Sequence, residues 1–457
     1  MSLKKIACIG AGYVGGPTMA VMADKCPDYT ITVVDINQER IDAWNSKKLP
    51  FYEPDLDSIV KKVRGKNLFF STKVEKAIDE NDIIFVAVNT PTKTYGVGQN
   101  MAADLQYWEI IARQIRNVAK RDKIIIEKST LPVKTAEAME TILNTDTNIH
   151  CEVLSNPEFL AEGTAVHDLI KPDRVLIGSR NTVSGIKARD EVVEIYSNWV
   201  SKDKIITTNT FSSELSKLVN NAFLAQRVSS INAIAGVCEA TGADVQEVAK
   251  AVGADSRIGS KFLQASVGFG GSCFRKDIMN LVYICRMNHL NEAATYFENI
   301  INMNNYQQHR FVNNVLKAMF NTVAGRKICM YGCAFKANTD DVRDSPAIPI
   351  AQALIDEKAN LVISDPKAMS NMEDELGNVK NVTYIKDPIE AAKDCHAILI
   401  ITEWELYSNS ELDYEKIFTD MVKPAYLFDG RNMVNRKDCY DIGFNVYSIG
   451  KKPLIHS

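Results

Sequence analysis

The sequence predicts an α/β chain in which two doubly wound, parallel-sheet regions flank a helical middle. Short β-branched runs open the chain and alternate with amphipathic stretches: KIACIG, a helix over about Val14–Lys25, TITVVD, then IIFVAV and KIIIEKS. Such alternation implies parallel strands joined by crossover helices. From about Ser212 to Thr241 the apolar spacing becomes helical, through Leu215, Leu218, Val219, Ala222 and Phe223, with Gly242 near the end. Helix-rich sequence continues to about Phe320, and the strand pattern then restarts with RKICMYG at 326–332, NLVISDP at 360–366, HAILIITE at 396–403 and AYLFDG at 425–430.

The second block echoes the first. In each, a strand ends in glycine and a later strand ends in aspartate, VVD at 33–35 and ISD at 363–365. No low-complexity linker intervenes, so the long helix itself is the expected connector. The expected domains are 1–208, 209–322 and 323–457, with the middle one helical and carrying a cysteine-bearing loop.

Composition narrows the function. The chain has 457 residues, 46% hydrophobic and 24% charged, with a net charge of -4. No long basic block suggests nucleic acid or an anionic membrane. The apolar run after the N-terminus is too short for a signal-peptide core, and no stretch of about eighteen apolar residues follows, so a cytoplasmic protein is expected. Ten cysteines without repeated spacing read as reduced, mostly buried thiols, and Cys329 and Cys333 read as core packing. His150, His167, His289, His309, His396 and His456 are too dispersed to suggest a ligand cluster, and no metal is expected.

Gly10-Ala11-Gly12-Tyr13-Val14-Gly15 fits G-x-G-x-x-G between the first strand and the first helix. There the glycines allow a tight turn and close approach of a pyrophosphate to the helix N-terminus. Asp35 lies twenty residues beyond Gly15, at the end of the second strand, where a carboxylate would accept from ribose hydroxyls and repel a 2′-phosphate. Arg40 is the residue that would favour NADP, but its offset from the strand end makes NAD the expected cofactor in a Rossmann-like domain.

The stretch VGFGGSCFRKD, 267–277, places Cys273 after a glycine loop and before a helical segment. A helix N-terminus favours a thiolate nucleophile, and Asp277 would share its face; a buried thiol beside a ligand loop is the other reading. A nucleophilic thiol beside a nicotinamide cofactor permits a four-electron oxidation of an alcohol to an acid through a thiohemiacetal and a thioester. That chemistry needs a base, oxyanion donors and a hydrolytic water. Lys217 and Asn221, four apart on an otherwise apolar helix, are a polar pair that is a candidate for one of these roles or a solvent-facing stripe. Glu158 and Glu162 follow a proline turn after CEVLS, and Thr130 holds a similar strand-end position. Lys336 and Arg431, near strand ends of the second block, are cations suited to a diphosphate or ordinary surface charge.

GAGYVG, NTPTKTYG, EKST, SNPEFLAEG, SSELSKLVNNAFLA, GFGGSCF-x-KD, FK-x-x-T-x-D-x-R and FDGR occur in that order. This set, covering nearly the whole chain, resembles the UDP-glucose/GDP-mannose dehydrogenase family. The resemblance implies NAD-dependent oxidation of UDP-glucose to UDP-glucuronate, with Cys273 carrying the covalent intermediates and Lys217 and Asn221 stabilising oxyanions. It assigns Asp277 to positioning water or assisting proton transfer, Glu158 to thioester hydrolysis and Thr130 to holding the water. It gives Val88, Asn89, Thr90, Ser129, Glu162, Lys276 and Arg343 to the cofactor, beside the glycine loop, Asp35 and Arg40. It gives Phe159, Leu160, Ala161, Glu162, Lys217, Asn221, Gln264, Ser266, Phe269, Gly270, Phe335, Lys336 and Arg431 to the sugar nucleotide, with Arg257 reaching it from a neighbouring subunit.

A homo-oligomer follows, a dimer or a hexamer built from dimers, and inhibition by UDP-xylose is plausible. Arg275 and Cys333 depart from the family pattern without touching the proposed catalytic groups. The competing readings are the same chemistry on GDP-mannose or UDP-N-acetylmannosamine, a catalytically silent nucleotide-sugar sensor, and a two-electron 3-hydroxyacid-type dehydrogenase that leaves the thiol idle.

Overall fold

A computed structural model describes residues 4–456; the expected outer bounds, 1 and 457, lie outside the described residues. The first sheet has eight strands: β1 (Lys4–Ile9), β2 (Tyr29–Val34), β3 (Leu68–Ser71), β4 (Ile83–Val86), β5 (Lys123–Glu127), β6 (Cys151–Ser155), β7 (Val175–Ser179) and β8 (Ile205–Asn209). Their order is β3-β2-β1-β4-β5-β6-β7-β8. Pairing is parallel except between β6 and β7, which meet antiparallel at Ser155 and Gly178. The expectation of parallel strands therefore fails at that one step, because the short helix Ala165–Ile170 returns the chain in the opposite direction.

The second sheet has six parallel strands: β9 (Lys327–Tyr331), β10 (Asn360–Ser364), β11 (Val382–Tyr384), β12 (Ala397–Ile400), β13 (Tyr426–Asp429) and β14 (Asn445–Ser448). Their order, β11-β10-β9-β12-β13-β14, repeats the first six positions of the first sheet. β4, β5, β6, β12 and β13 are buried on both faces, which explains their continuous Val, Ile and Leu runs.

Between the sheets run the helices Thr210–Thr241, Val245–Gly253, Phe274–Met287 and Asn291–Ala318. The chain forms two compact units, one of residues up to Asn220 together with Met279–Leu290, the other of Asn221–Ile278 together with residues from Asn291 on. The helices Thr210–Thr241 and Phe274–Met287 each pass from one unit into the other. No helix among the described residues is long and apolar enough to cross a membrane.

Candidate active site

The nucleotide loop follows from β1. Gly10 adopts φ +108°, and a Cβ there would stand 2.3 Å from the Ala87 carbonyl oxygen, so only glycine permits this turn. A Cβ at Gly12 would meet nothing within 4 Å; the loop is open where a pyrophosphate approaches. Asp35 accepts from the Ala11 N–H at 2.9 Å and the Asn37 N–H at 3.0 Å. Arg40 is paired with the same carboxylate at 3.0 Å, so its charge is already matched by the group that excludes a 2′-phosphate. These residues fit NAD. Tyr13 donates to Glu53, whose carboxylate also caps the chain at Gly163 and Ala165, at 2.8 and 2.7 Å.

At the ends of β4 and β5, Ser129 donates to the Val88 carbonyl at 2.6 Å and Thr90 to the Thr130 carbonyl at 3.1 Å. The loop bearing Ser129 and Thr130 is thus tied to the loop bearing Val88, Asn89 and Thr90. Glu158 and Lys217, 7% and 4% exposed, face one another at 3.6 Å. Phe159 lies beneath both Lys217, 5.4 Å from its ring centroid, and Arg174, at 3.9 Å. Leu160 and Glu162 are half-buried, whereas Ala161 is exposed.

Several buried groups in this unit escaped the sequence reading. Lys128 reaches Asn156 Oδ1 at 3.2 Å and the Tyr196 hydroxyl at 3.4 Å. Burial pushes its ammonium down to about 8, a shift that Lys217 reinforces and Glu158 opposes. Glu127 is 1% exposed, and neither of its carboxyl oxygens meets an N–H or O–H donor of the protein. Its neighbour is Glu214, whose oxygens accept from the N–H groups of Lys134 and Ala136, both at 2.8 Å, at the start of the helix Thr135–Asn144. Burial and then Glu214 raise Glu127 well above the carboxylate range. Two like charges side by side oppose one another, an arrangement that favours a proton shared between Glu127 and Glu214. Glu140, His150 and Glu152 also converge within 4.8 Å, contrary to the expectation from histidine dispersion, but the Arg180 guanidinium reaches both carboxylates.

The cysteine loop belongs to the other unit. Among the described residues Cys273 is the exposed cysteine; the other nine are free and buried. The loop glycines have steric reasons. At Gly268, φ +124°, a Cβ would press on Asn304 at 2.7 Å; at Gly270 it would meet the Asp344 carbonyl oxygen at 2.5 Å; at Gly271, φ +85°, it would meet the Phe335 ring at 2.9 Å. Asn304 clamps Phe269 by accepting from its N–H at 2.9 Å and donating to its carbonyl at 3.0 Å. Ser266 is held by Asn232 and Gln307, both at 2.8 Å, while Gln264 is exposed.

The helix Phe274–Met287 begins at Cys273, whose carbonyl accepts from the Asp277 N–H at 2.9 Å. Asp277, 1% exposed, accepts from the Asn221 amide at 2.6 Å. Lys276 is half-buried on the same first turn. Arg431 donates to the Ile401 carbonyl at 2.5 Å and the Phe335 carbonyl at 3.1 Å, and Lys336 lies 5.6 Å from the Phe335 ring. Arg343 and Arg257 are exposed and pair with Asp341 and Asp255, each at 2.6 Å. The structure thus brings Glu158 to Lys217 in one unit and Cys273, Asp277 and Asn221 together in the other. The long helix carries Lys217 and Asn221 one turn apart.

Family models match all three regions: the UDP-glucose/GDP-mannose dehydrogenase family NAD binding domain at residues 4–200, central domain at 211–306 and UDP binding domain at 329–436. The chain is 57% identical to UDP-glucose 6-dehydrogenase 4 of Oryza sativa subsp. japonica, over 98% of this chain and 97% of that protein. It is 56% identical, with the same coverage, to UDP-glucose 6-dehydrogenase 4 of Arabidopsis thaliana. Among solved structures it is similar to a UDP-glucose dehydrogenase from the archaeon Pyrobaculum islandicum, with a TM-score of 0.86 and 29% identity over 98% of each chain.

Proposed function

The chain belongs to the UDP-glucose/GDP-mannose dehydrogenase family and is an NAD-dependent dehydrogenase, and from that premise we propose that it oxidises the C6 alcohol of UDP-glucose to the carboxylate of UDP-glucuronate. The observation that carries the reading is Cys273, an exposed thiol at the start of a helix, one turn from the buried Asn221–Asp277 pair. Bound NAD supplies the hydride acceptor for each oxidation. Over the whole reaction the alcohol loses two hydrides, takes the oxygen of one water and releases three protons in forming the carboxylate.

Cys273 Sγ adds to the aldehyde carbon formed first, giving a thiohemiacetal, and loss of the second hydride gives a thioester. Glu158 takes a proton from water held by Thr130; the water oxygen bonds to the acyl carbon and the thiolate leaves. Lys217 and Asn221 donate to the oxygen that gathers charge at each addition, and Asp277 fixes the direction of the Asn221 amide. Gly10–Gly15, Asp35, Thr90 and Ser129 hold the cofactor, with Arg40, Val88, Asn89, Glu162, Lys276 and Arg343 contributing. Phe159–Glu162, the loop from Gln264 to Gly270, Phe335, Lys336 and Arg431 hold the sugar nucleotide.

We read the protein as cytoplasmic and as a homo-oligomer. Phe223, Ile234 and Val237 stand 57%, 40% and 55% exposed at helical spacing on the connecting helix, a face suited to a second copy, and Arg257 is the residue offered to a neighbour's substrate. The test is to count NADH per UDP-glucose consumed, for wild type and Cys273→Ser. Two NADH per sugar, with loss of complete turnover in the variant, is the expected result. One NADH, or a variant that completes both oxidations, removes Cys273 from the mechanism. Turnover with GDP-mannose or UDP-N-acetylmannosamine but not UDP-glucose changes the substrate and keeps the chemistry.

A further inference from the structure

We propose that Lys128 is a positioning residue for the hydrolytic half of the reaction, fixing through Asn156 the turn that carries Glu158. The proposal rests on the role given above to Glu158.

Lys128 follows β5 directly and Asn156 follows β6, and the parallel register pairs Glu127 with Ser155. The two polar residues are therefore neighbours at adjacent strand ends, and the Asn156 N–H donates to the Glu127 carbonyl at 2.9 Å. Pro157 and Glu158 come next, so the direction of Asn156 is the direction from which the Glu158 turn departs. Asn156 donates to the Leu176 carbonyl at 2.8 Å and accepts at one oxygen from both the Tyr196 hydroxyl at 2.7 Å and the Lys128 ammonium at 3.2 Å. Ala87, Val86 and the chain at Lys128 are tied in turn, since the Lys128 N–H donates to the Val86 carbonyl at 2.9 Å. The titratable groups around the ammonium are Glu158, Lys217, Cys8 and Tyr196.

The fold does not need this charge. Without it, Asn156 keeps Tyr196 as donor and Leu176 as acceptor, so no buried polar group is orphaned. A buried cation with neutral hydrogen-bond partners costs stability, and an apolar side chain of similar length is commonly neutral or stabilising at such a place. Lys123, at the other end of the same strand, is the contrast. Its ammonium donates to the Asn81 and Asp79 carbonyls, at 2.7 and 3.4 Å, and lies 3.7 Å from Asp82, an arrangement that tethers the end of the helix Val74–Glu80. Lys128 instead holds side chains, Asn156 at 3.2 Å and Tyr196 at 3.4 Å, at the root of the turn that carries Glu158. Groups retained against the interest of stability belong to function.

The experiment compares wild type, Lys128→Met and Glu158→Gln, full length, mixed rapidly with UDP-glucose and NAD. NADH is followed in time, the intact protein mass is taken in the steady state, and Tm is measured. For Lys128→Met the expected result is a burst of NADH followed by turnover slowed at least about tenfold. A sugar-nucleotide adduct should accumulate on Cys273, KM for UDP-glucose should stay within about twofold, and Tm should be no lower than wild type. Turnover near wild type, slow turnover without adduct, or a fall in Tm that accompanies the loss of activity would overturn the proposal. Adduct in Glu158→Gln but not in Lys128→Met removes Lys128 alone and leaves the reaction reading standing. Adduct in neither variant removes both.

Discussion

The two sheets repeat one another residue by residue at their ligand-facing ends, yet they are finished differently. Gly10 directly follows β1 and Gly332 directly follows β9, and a Cβ at either would stand 2.3 Å from the neighbouring strand's exit, at Ala87 in one and Thr402 in the other. Asp35 and Asp365 then close the turn, accepting from the Ala11 N–H at 2.9 Å and the Cys333 N–H at 2.8 Å. There the likeness ends. Gly12, which borders open space, is matched by Ala334, which is fully buried. Asp35 is 8% exposed, whereas Asp365 is 0% exposed and takes five donors, from Cys333, Ala334, Lys367, Ala368 and the Trp404 indole. The first loop is left open for a dinucleotide; the second is filled by the protein's own side chains. In the proposed function, recognition in the second unit falls to side chains beyond the strand ends, above all Arg431, which by register stands where Ser129 stands in the first.

The largest effect should come from exchanging damage between these two loops. Arg431→Ala removes a charge-assisted donor to a diphosphate and should cost about 2–5 kcal/mol, raising KM for UDP-glucose roughly thirtyfold or more. KM for NAD should move by less than about twofold. Gly12→Val should do the reverse, by filling the space over the first loop. A variant of either kind that weakens both ligands equally would break the division of labour drawn here.

The aspartates give a contrast smaller in ligand binding and sharper in kind. Asp365→Ala orphans four buried donors and one half-buried donor and should lower stability by about 3–5 kcal/mol, read as a fall in the urea midpoint, with little change in either KM in the protein that remains folded. Asp35→Asn keeps acceptors for Ala11 and should be tolerated by the fold, while KM for NAD rises about tenfold, the equivalent of about 1.4 kcal/mol. If Asp365→Ala is stable, or Asp35→Asn leaves NAD unaffected, the second loop is not closed by its aspartate or the first is not read by its own.

Much of this was legible from the sequence, and the pattern of what was not is instructive. The glycine loop, Asp35 and the Cys273 loop announce themselves because each motif is local: a turn that admits only glycine, followed at fixed spacing by one polar group. The echo between VVD and ISD was legible for the same reason, but its different ending was not, since the donors that fill Asp365 include Trp404, thirty-nine residues away. Lys128, Asn156 and Tyr196 sit singly in ordinary surroundings and meet across 28 and 68 positions of sequence. Only the sheet and the helix Val183–Tyr196 packed on it bring them together. The antiparallel β6–β7 step was hidden because a strand buried on both faces carries no mark of its direction.

The last contrast is between the acids that end β5 and β13. Glu127 and Asp429 hold equivalent places, are 1% and 0% exposed, and are both raised by burial. Asp429 faces backbone donors, the N–H groups of Arg431 and Val434 at 3.0 Å each, so its carboxylate is in part prepared for. Glu127 faces another carboxyl, and its place depends on a proton. A folded-state value above the unfolded one contributes stability that is fully present below the unfolded value and lost as pH rises through the folded one. The wild type should therefore lose stability as pH rises from the unfolded carboxyl value, about 4.3, toward the raised folded one, by up to about 1.4 kcal/mol per pH unit within that window and no further beyond it. Glu127→Gln donates an amide N–H to Glu214 at every pH and should flatten this fall in Tm while leaving stability at the acid end of the window within about 1 kcal/mol of wild type. Asp429, raised less because backbone donors oppose its burial, should contribute a smaller fall of the same sign, so Asp429→Asn should flatten less than Glu127→Gln and cost stability at every pH, because an amide offers one acceptor oxygen where the carboxylate offers two. A fall undiminished in Glu127→Gln would mean that the carboxyls do not share a proton, and that the helix Thr135–Asn144 is held at its start by Glu214 alone.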